Sequence, residues 1–523
     1  MTQAEPTRRC RRCRDQPAVH LVRSDHICSD CLCRFVQTKT VKRLEVLGRE
    51  TRRTPGRPAG IETNGGTNGG TNGGTNGGAH NPNSCKIFYV GLSFGPSSAA
   101  LVDLCARINR GQEAKGRAAA FTLHVVHVDT AIATASAAAA TAAAAAAAAT
   151  AASADTPAAQ RLDQWRAAYP QFTFECLPLS AVLDPAAGVD WSALPYGTEA
   201  AASSAPSPPS PPPGPPRPPR TPTATADQLR AMLARLPSAT ARRDVLDLLV
   251  RRLLLARAAG AVSPDGGGVR SPGSATPAST PCDALLLGCS TTALAERTLG
   301  ATTKGRGFAV PWLVHDGPVA DYVGADHRPV LVYYPLRELF RRELDLYTRV
   351  VAQQPWTHAS GAVAGPPSPL ASGEMASSSS WSSGPAAAVV SHKDLSLDEI
   401  VARYCAEVEA QYPSIVTNVV RTTAKLARQG HESDGGGGRD DDRDDDDYDD
   451  DDFKDDDTDD DDDGDGDGDD IKPDGCGVCG MPLDAAGDAR WRGELGDRPA
   501  AAASPQDTRR RPLCYGCARS IHG

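Results

Sequence analysis

A chain of 523 residues would ordinarily fold as three or so domains of about 150 residues each, yet several long tracts here are too poor in large apolar side chains to join a core. The formal charge of −10 conceals a split: Asp434 to Asp470 holds 24 Asp against Arg439, Arg443 and Lys454, a local −21, so the remainder carries +11. A basic folded part suits a polyanionic partner. The N-terminus has no apolar run of the secretory kind, and the Ala-rich stretch Ala131 to Ala154 lacks Leu, Val and Phe, which argues against a membrane span. The expectation is a soluble, cytoplasmic protein whose fifteen Cys stay reduced, so that paired CxxC motifs hold metal rather than form disulfides.

In chain order, residues 1–50 read as a four-cysteine zinc module. Cys10 and Cys13 are followed, after fourteen residues, by Cys28 and Cys31. Two residues between thiolates let both sulfurs face one tetrahedral ion, and the second pair closes the shell with no open position, so the role is structural. Cys33 lies outside the pattern, and His20 and His26 are weaker substitutes. Arg8, Arg9, Arg11, Arg12, Arg14, Arg34, Lys39, Lys42 and Arg43 crowd this module, giving residues 1–60 a net +8; they are candidate phosphate contacts. Residues 51–84, with four copies of TNGG, read as a linker.

From 85 to 355 apolar runs recur in a strand–helix rhythm. Strands are expected at 86–92, 120–128, 172–177, 284–288 and 330–334. Helices are expected at 99–109, 160–169, 227–236, 242–259, 293–299 and 336–351. That alternation predicts an α/β domain with a parallel sheet and ligands at the strands' carboxyl ends, interrupted by low-complexity, disordered insertions at about 131–156 and 200–225. The stretch Ser93-Phe94-Gly95-Pro96-Ser97-Ser98 then sits between the first strand and its helix, where amide groups and the helix dipole favour an anion; Ser97 and Ser98 either cap the helix or touch the ligand. Residues 356–390 read as a Ser/Gly/Ala/Pro linker, 391–430 as a helical segment and 431–473 as an acidic disordered tract, most plainly a solvated linker. Residues 474–523 form a second four-cysteine zinc module, with Cys476, Cys479, Cys514 and Cys517 as ligands and 500–511 as a loop between its halves.

The loop at 93–98 resembles the Ser-Gly-Gly-x-Asp-Ser loop of PP-loop ATP pyrophosphatases, with Phe94 at the second position and Ser97 in place of the Asp. Together with CRRC…CSDC, the segment at 285–312, YPLRELFRRELDLY at 334–347 and CGVC…CYGC, it resembles the cytoplasmic tRNA 2-thiolation protein 2 family. The resemblance implies an adenine nucleotide alpha hydrolase-like fold and a non-catalytic subunit that pairs with a catalytic PP-loop tRNA thiolase. That pair would place sulfur on the wobble uridine (mcm5s2U) of tRNA Lys, Glu and Gln, drawn from a thiocarboxylated ubiquitin-related modifier. Catalytic relatives carry a CxxC where this chain has 237–244, without a thiol, and acidic residues where it has Gly288-Cys289-Ser290-Thr291-Thr292. The loop at Ser93, Gly95, Ser97 and Ser98 therefore reads as degenerate and ATP binding as doubtful. Cys282 and Cys289 read as small core residues. The alternatives are an ATP pyrophosphatase or sulfurtransferase in its own right, and a stand-alone zinc-dependent tRNA-binding protein.

Overall fold

The computed structural model describes residues 8–53, 86–134, 157–191, 225–262, 282–319, 329–351, 395–426 with 428, 475–483 and 511–522. The TNGG, Pro-rich and Ser/Gly/Ala/Pro linkers, the acidic tract, most of the Ala-rich stretch and nearly all of 500–511 lie outside the described residues.

The chain opens with a hairpin, β1 (His20–Val22) antiparallel to β2 (Asp25–Ile27), and the long helix α1 (Ser29–Arg53). Then follow β3 (Lys86–Gly91), α2 (Pro96–Glu113), β4 (Phe121–Asp129), α3 (Pro157–Ala168) and β5 (Thr173–Pro178). The chain continues through α4 (Ala226–Arg235), α5 (Ala239–Ala258), β6 (Ala284–Leu287) and α6 (Thr291–Thr303). After these come β7 (Gly317–Val319), β8 (Val330–Tyr333), α7 (Arg341–Val351), α8 (Leu397–Gln411), α9 (Pro413–Thr423) and α10 (Tyr515–His522). The main sheet runs β5-β4-β3-β6-β8-β7, parallel except for β7. No described helix is long and apolar enough to cross a membrane.

Alternating strand side chains feed two cores. Phe88, Val90, Leu123, Val125, Leu286 and Tyr333 point to the face covered by α1, α2, α3 and α7. Tyr89, Val126, Val128, Leu285 and Val332 point to the face covered by α4, α5, α6, α8, α9 and α10. Right-handed crossovers demand this arrangement when the strand order grows first one way from β3 and then the other. The two cysteine modules consequently dock on opposite faces, the N-terminal one beside α1 and the C-terminal one beside α5.

Several boundaries differ from the sequence expectation. Helix α2 starts at Pro96, three residues earlier than expected, because Pro is preorganised for the first helical turn. Helix α6 starts at Thr291, since Ser290 accepts from Ala293 N and caps it. Helix α7 starts only at Arg341: the apolar residues Leu336 and Leu339 bury themselves in turns rather than in a helical stripe.

Candidate metal centres and the loop at the switch point

Strand order reverses between β3 and β6, the switch point at which open α/β sheets bind ligands beyond the strands' carboxyl ends. The loop at 93–98 stands at this point and bonds to itself. Ser98 Oγ donates to Gly95 O at 3.1 Å, accepts from Ser93 N at 3.2 Å and lies 3.1 Å from Ser93 Oγ. Neither Ser97 nor Ser98 caps α2; the N-cap is Gly95, without a side-chain bond. Of the two expected roles for these serines, the cap gives way for Ser98 to an internal brace of the loop.

Phe94 holds φ at +60°, a left-handed conformation that Gly adopts without cost. Its ring lies 4.4 Å from that of His127 and 6.4 Å from that of Trp165, with the Arg161 guanidinium 4.5 Å above it. On the other side, a Cβ on Gly288 would stand 2.8 Å from Ser98 Cα, so the β6–α6 loop lies directly against the start of α2. Beyond it, Thr292 Oγ1 donates to Glu409 Oε2 at 2.6 Å and Arg342 N donates to Glu409 Oε1 at 3.1 Å. One carboxylate from α8 thereby satisfies donors at the starts of both α6 and α7, where the helix dipole favours a negative charge.

Both cysteine groups close up as the spacing predicts: in each, the four sulfurs lie within 4.8 Å of one another. Cys13 and Cys28 Sγ are 3.8 Å apart, and Cys479 and Cys514 Sγ 3.7 Å. A tetrahedral ion with bonds of about 2.3 Å holds its sulfurs about 3.8 Å apart. The N-terminal knuckle is built by Cys10 N donating to Gln16 O and Arg14 N to Cys10 O, at 2.8 and 2.9 Å. In the C-terminal one, Gly480 (φ +70°) donates to Cys476 O at 2.8 Å, and a side chain there would collide with Arg252. His20 bonds Ser29 and His26 bonds Arg8, so neither joins the thiolates. Cys282 and Cys289 pack against one core and Cys33 against the other.

Arg12, Arg34, Lys39 and Lys42 line an open groove of about 290 Å³, together with Phe35, Thr38 and the ligand candidates Cys13 and Cys31. Of these, Lys39 also reaches Glu338 at 2.9 Å. Other cations expected there are used internally: Arg43 pairs with Asp316 and Arg11 with Asp25 at 2.6 Å. Arg23, which sequence reasoning passed over, donates to Glu343 at 2.8 Å and anchors the module to α7.

The family model for cytoplasmic tRNA 2-thiolation protein 2 matches residues 396–519. Cytoplasmic tRNA 2-thiolation protein 2 of Phaeosphaeria nodorum is 28% identical over 514 residues, 98% of this chain and 94% of that protein. The protein of the same name from Sclerotinia sclerotiorum is 25% identical over 416 residues, covering 79% and 81%. Among solved structures, U34-tRNA thiolase NcsA from Methanococcus maripaludis, with its 4Fe-4S cluster, aligns over 82% of this chain and 92% of its own at 12% identity and a TM-score of 0.37. The family model at 396–519 and the relatives matched over 98% and 79% of this chain carry one name, and the chain is similar to the cytoplasmic tRNA 2-thiolation protein 2 family.

Proposed function

We propose that this chain is a non-catalytic subunit of the cytoplasmic machinery that thiolates the wobble uridine of tRNA Lys, Glu and Gln. It acts as a heterodimer with a catalytic PP-loop thiolase that takes sulfur from a thiocarboxylated ubiquitin-related modifier. The observation that carries the non-catalytic part is the loop at the switch point. Its hydroxyls bond to each other and its left-handed position bears Phe94. Two further helix starts are taken by Glu409. Stretch 237–244 offers Ser238 as the cap of α5 and Asp244 as a buried anion, with no thiol for sulfur transfer.

In this reading both four-cysteine groups hold structural Zn²⁺. The fit rests on sulfur spacing: thiolates within 4.8 Å of one another suit one shared ion, whereas a four-iron cluster places each thiolate on a different iron and holds them farther apart. The groove beside Cys13 and Cys31 supplies the RNA surface, with Arg12, Arg34 and Lys42 meeting phosphates.

Pyrophosphate release from ATP, assayed with the purified chain alone and with its thiolase partner, tests the assignment. Release only from the pair is expected, and release by the isolated chain would establish the enzymatic alternative. Stoichiometric recovery of a PP-loop thiolase from cells separates the heterodimer from a stand-alone tRNA-binding protein.

A further inference from the structure

The C-terminal thiolates are held by more than their own knuckles. Arg306, in the segment after α6, is 4% exposed. Its Nη1 donates to Cys517 Sγ at 3.2 Å and to Cys514 Sγ at 3.4 Å, and its Nη2 donates to Asp244 Oδ2 at 2.5 Å. Asp244 lies near the start of α5 and also takes Lys304 Nζ at 3.0 Å and Ser520 Oγ at 2.6 Å. The approach is close enough that a Cβ on Gly305 (φ +74°) would overlap the Tyr515 ring. The N-terminal group differs: its thiols meet backbone amides and one another, with Cys31 N donating to Cys28 Sγ at 3.5 Å, and Cys13 and Cys31 are half-exposed to the groove.

Four thiolates around a divalent ion carry a net −2, a charge costly to bury without a counter-charge. Donors outside the ligand shell orient the ligands and draw density from the sulfurs. A guanidinium suits this task because one terminal nitrogen donates to both sulfurs while the other is held by a carboxylate. We infer that Arg306 is a positioning residue of the C-terminal metal centre: it supplies the charge and the sulfur hydrogen bonds that retain the ion, and through Asp244 it joins metal loading to the α/β core. The inference rests on the metal occupancy proposed above. It makes the two centres unequal, the C-terminal one braced and the N-terminal one open.

The test uses the full chain and three variants, Arg306→Leu, Arg306→Lys and Asp244→Asn. Metal content is measured by elemental analysis, and N-ethylmaleimide labelling of each cysteine is followed by peptide mass spectrometry. The wild-type chain is expected to hold two ions. In Arg306→Leu the C-terminal ion should be held about 10- to 100-fold less tightly, with Cys514 and Cys517 labelling at least about 10-fold faster and Cys10, Cys13, Cys28 and Cys31 unchanged. Arg306→Lys, which keeps a charge and donors, should recover much of the protection, and Asp244→Asn should fall between. With cobalt in place of the native metal, loss of the sulfur hydrogen bonds should move the thiolate charge-transfer band to lower energy, a shift that looser packing alone does not produce. Labelling rates and cobalt spectra indifferent to residue 306 overturn the role of Arg306 while leaving the metal reading intact; a wild-type chain without metal sinks the metal reading first. Should Arg306→Leu fail to fold, Arg306→Lys and Asp244→Asn carry the test, and wild-type rates in both overturn the inference.

Discussion

The ring of Phe94, just beyond the carboxyl end of β3, lies 4.4 Å from the imidazole of His127, near the carboxyl end of β4. His127 Nδ1 stands 2.8 Å from Leu92 O, so the neutral ring carries its proton on Nδ1 and donates it to that carbonyl. The pair packs the turn that leads into α2. Phe94 accepts a left-handed backbone, at a cost of about 1–2 kcal/mol, in exchange for a ring contact worth about 0.5–1.5 kcal/mol plus the apolar area it covers.

The covered apolar area tips the balance toward Phe, so Phe94→Gly should lower the unfolding free energy by about 1–2 kcal/mol, measured by urea denaturation. It should not create saturable ATP binding in calorimetry, because Glu409 still holds the starts of α6 and α7 and 288–292 still lacks carboxylates.

His127 is buried, which pushes its pKa down from the ordinary histidine value; the nearby Arg161 acts in the same direction, while the Leu92 carbonyl and Asp129 only partly offset it. Below about pH 6.5 the unfolded chain takes up a proton that the folded chain resists, so this residue's contribution to stability is present at neutral pH and is lost as pH falls. His20, His124 and His315 shift the same way. His127→Asn should flatten the acid limb of the stability curve by at most about 1.4 kcal/mol per pH unit, read from urea midpoints at several pH values between neutral and mildly acidic.

Arg12, Arg34 and Lys42 line the groove, whereas Arg43 is spent on Asp316. Single Ala substitutions at the first three should weaken tRNA binding and each reduce the slope of log K against log salt by about 1. Arg43→Ala should leave that slope unchanged and lower stability instead. Fluorescence anisotropy across a potassium chloride series, paired with thermal unfolding, distinguishes the two classes.

Asp103, fully buried on α2, accepts from Tyr347 at 2.6 Å, Arg107 at 2.7 Å and Tyr169 at 3.1 Å. It joins α2 to α7 and to the end of α3. Asp103→Ala strands three donors and should cost about 3–5 kcal/mol, seen as a lower urea midpoint with an unchanged m-value.

The parallel sheet, its helices and both cysteine groups were legible because each is written locally: strand-length apolar runs, helical stripes, and CxxC pairs. Elements whose cause is tertiary were not. Strand β7 is three residues containing Gly317 and Pro318, and it forms only because β8 offers an edge. The β1–β2 hairpin is equally short and is held by the knuckle beside it. Nothing near Cys514 announces Arg306, 208 positions away, although the segment that bears it was singled out by its resemblance to the family. The basic cluster showed where positive charge gathers but not which cations are already paired. That depends on Asp316, Glu338 and Glu343, which lie far along the chain.

The central claim, a subunit needed for wobble thiolation whose own nucleotide loop is idle, is tested most directly by mass spectrometry of tRNA nucleosides. The assay uses cells lacking the chain, complemented with wild type, with Ser93→Ala/Ser98→Ala, or with Cys476→Ser/Cys479→Ser. The account predicts loss of 2-thiouridine in the deletion, restoration by wild type and by the serine variant, and failure of the cysteine variant. Normal 2-thiouridine in the deletion, or its loss in a folded serine variant, would contradict it.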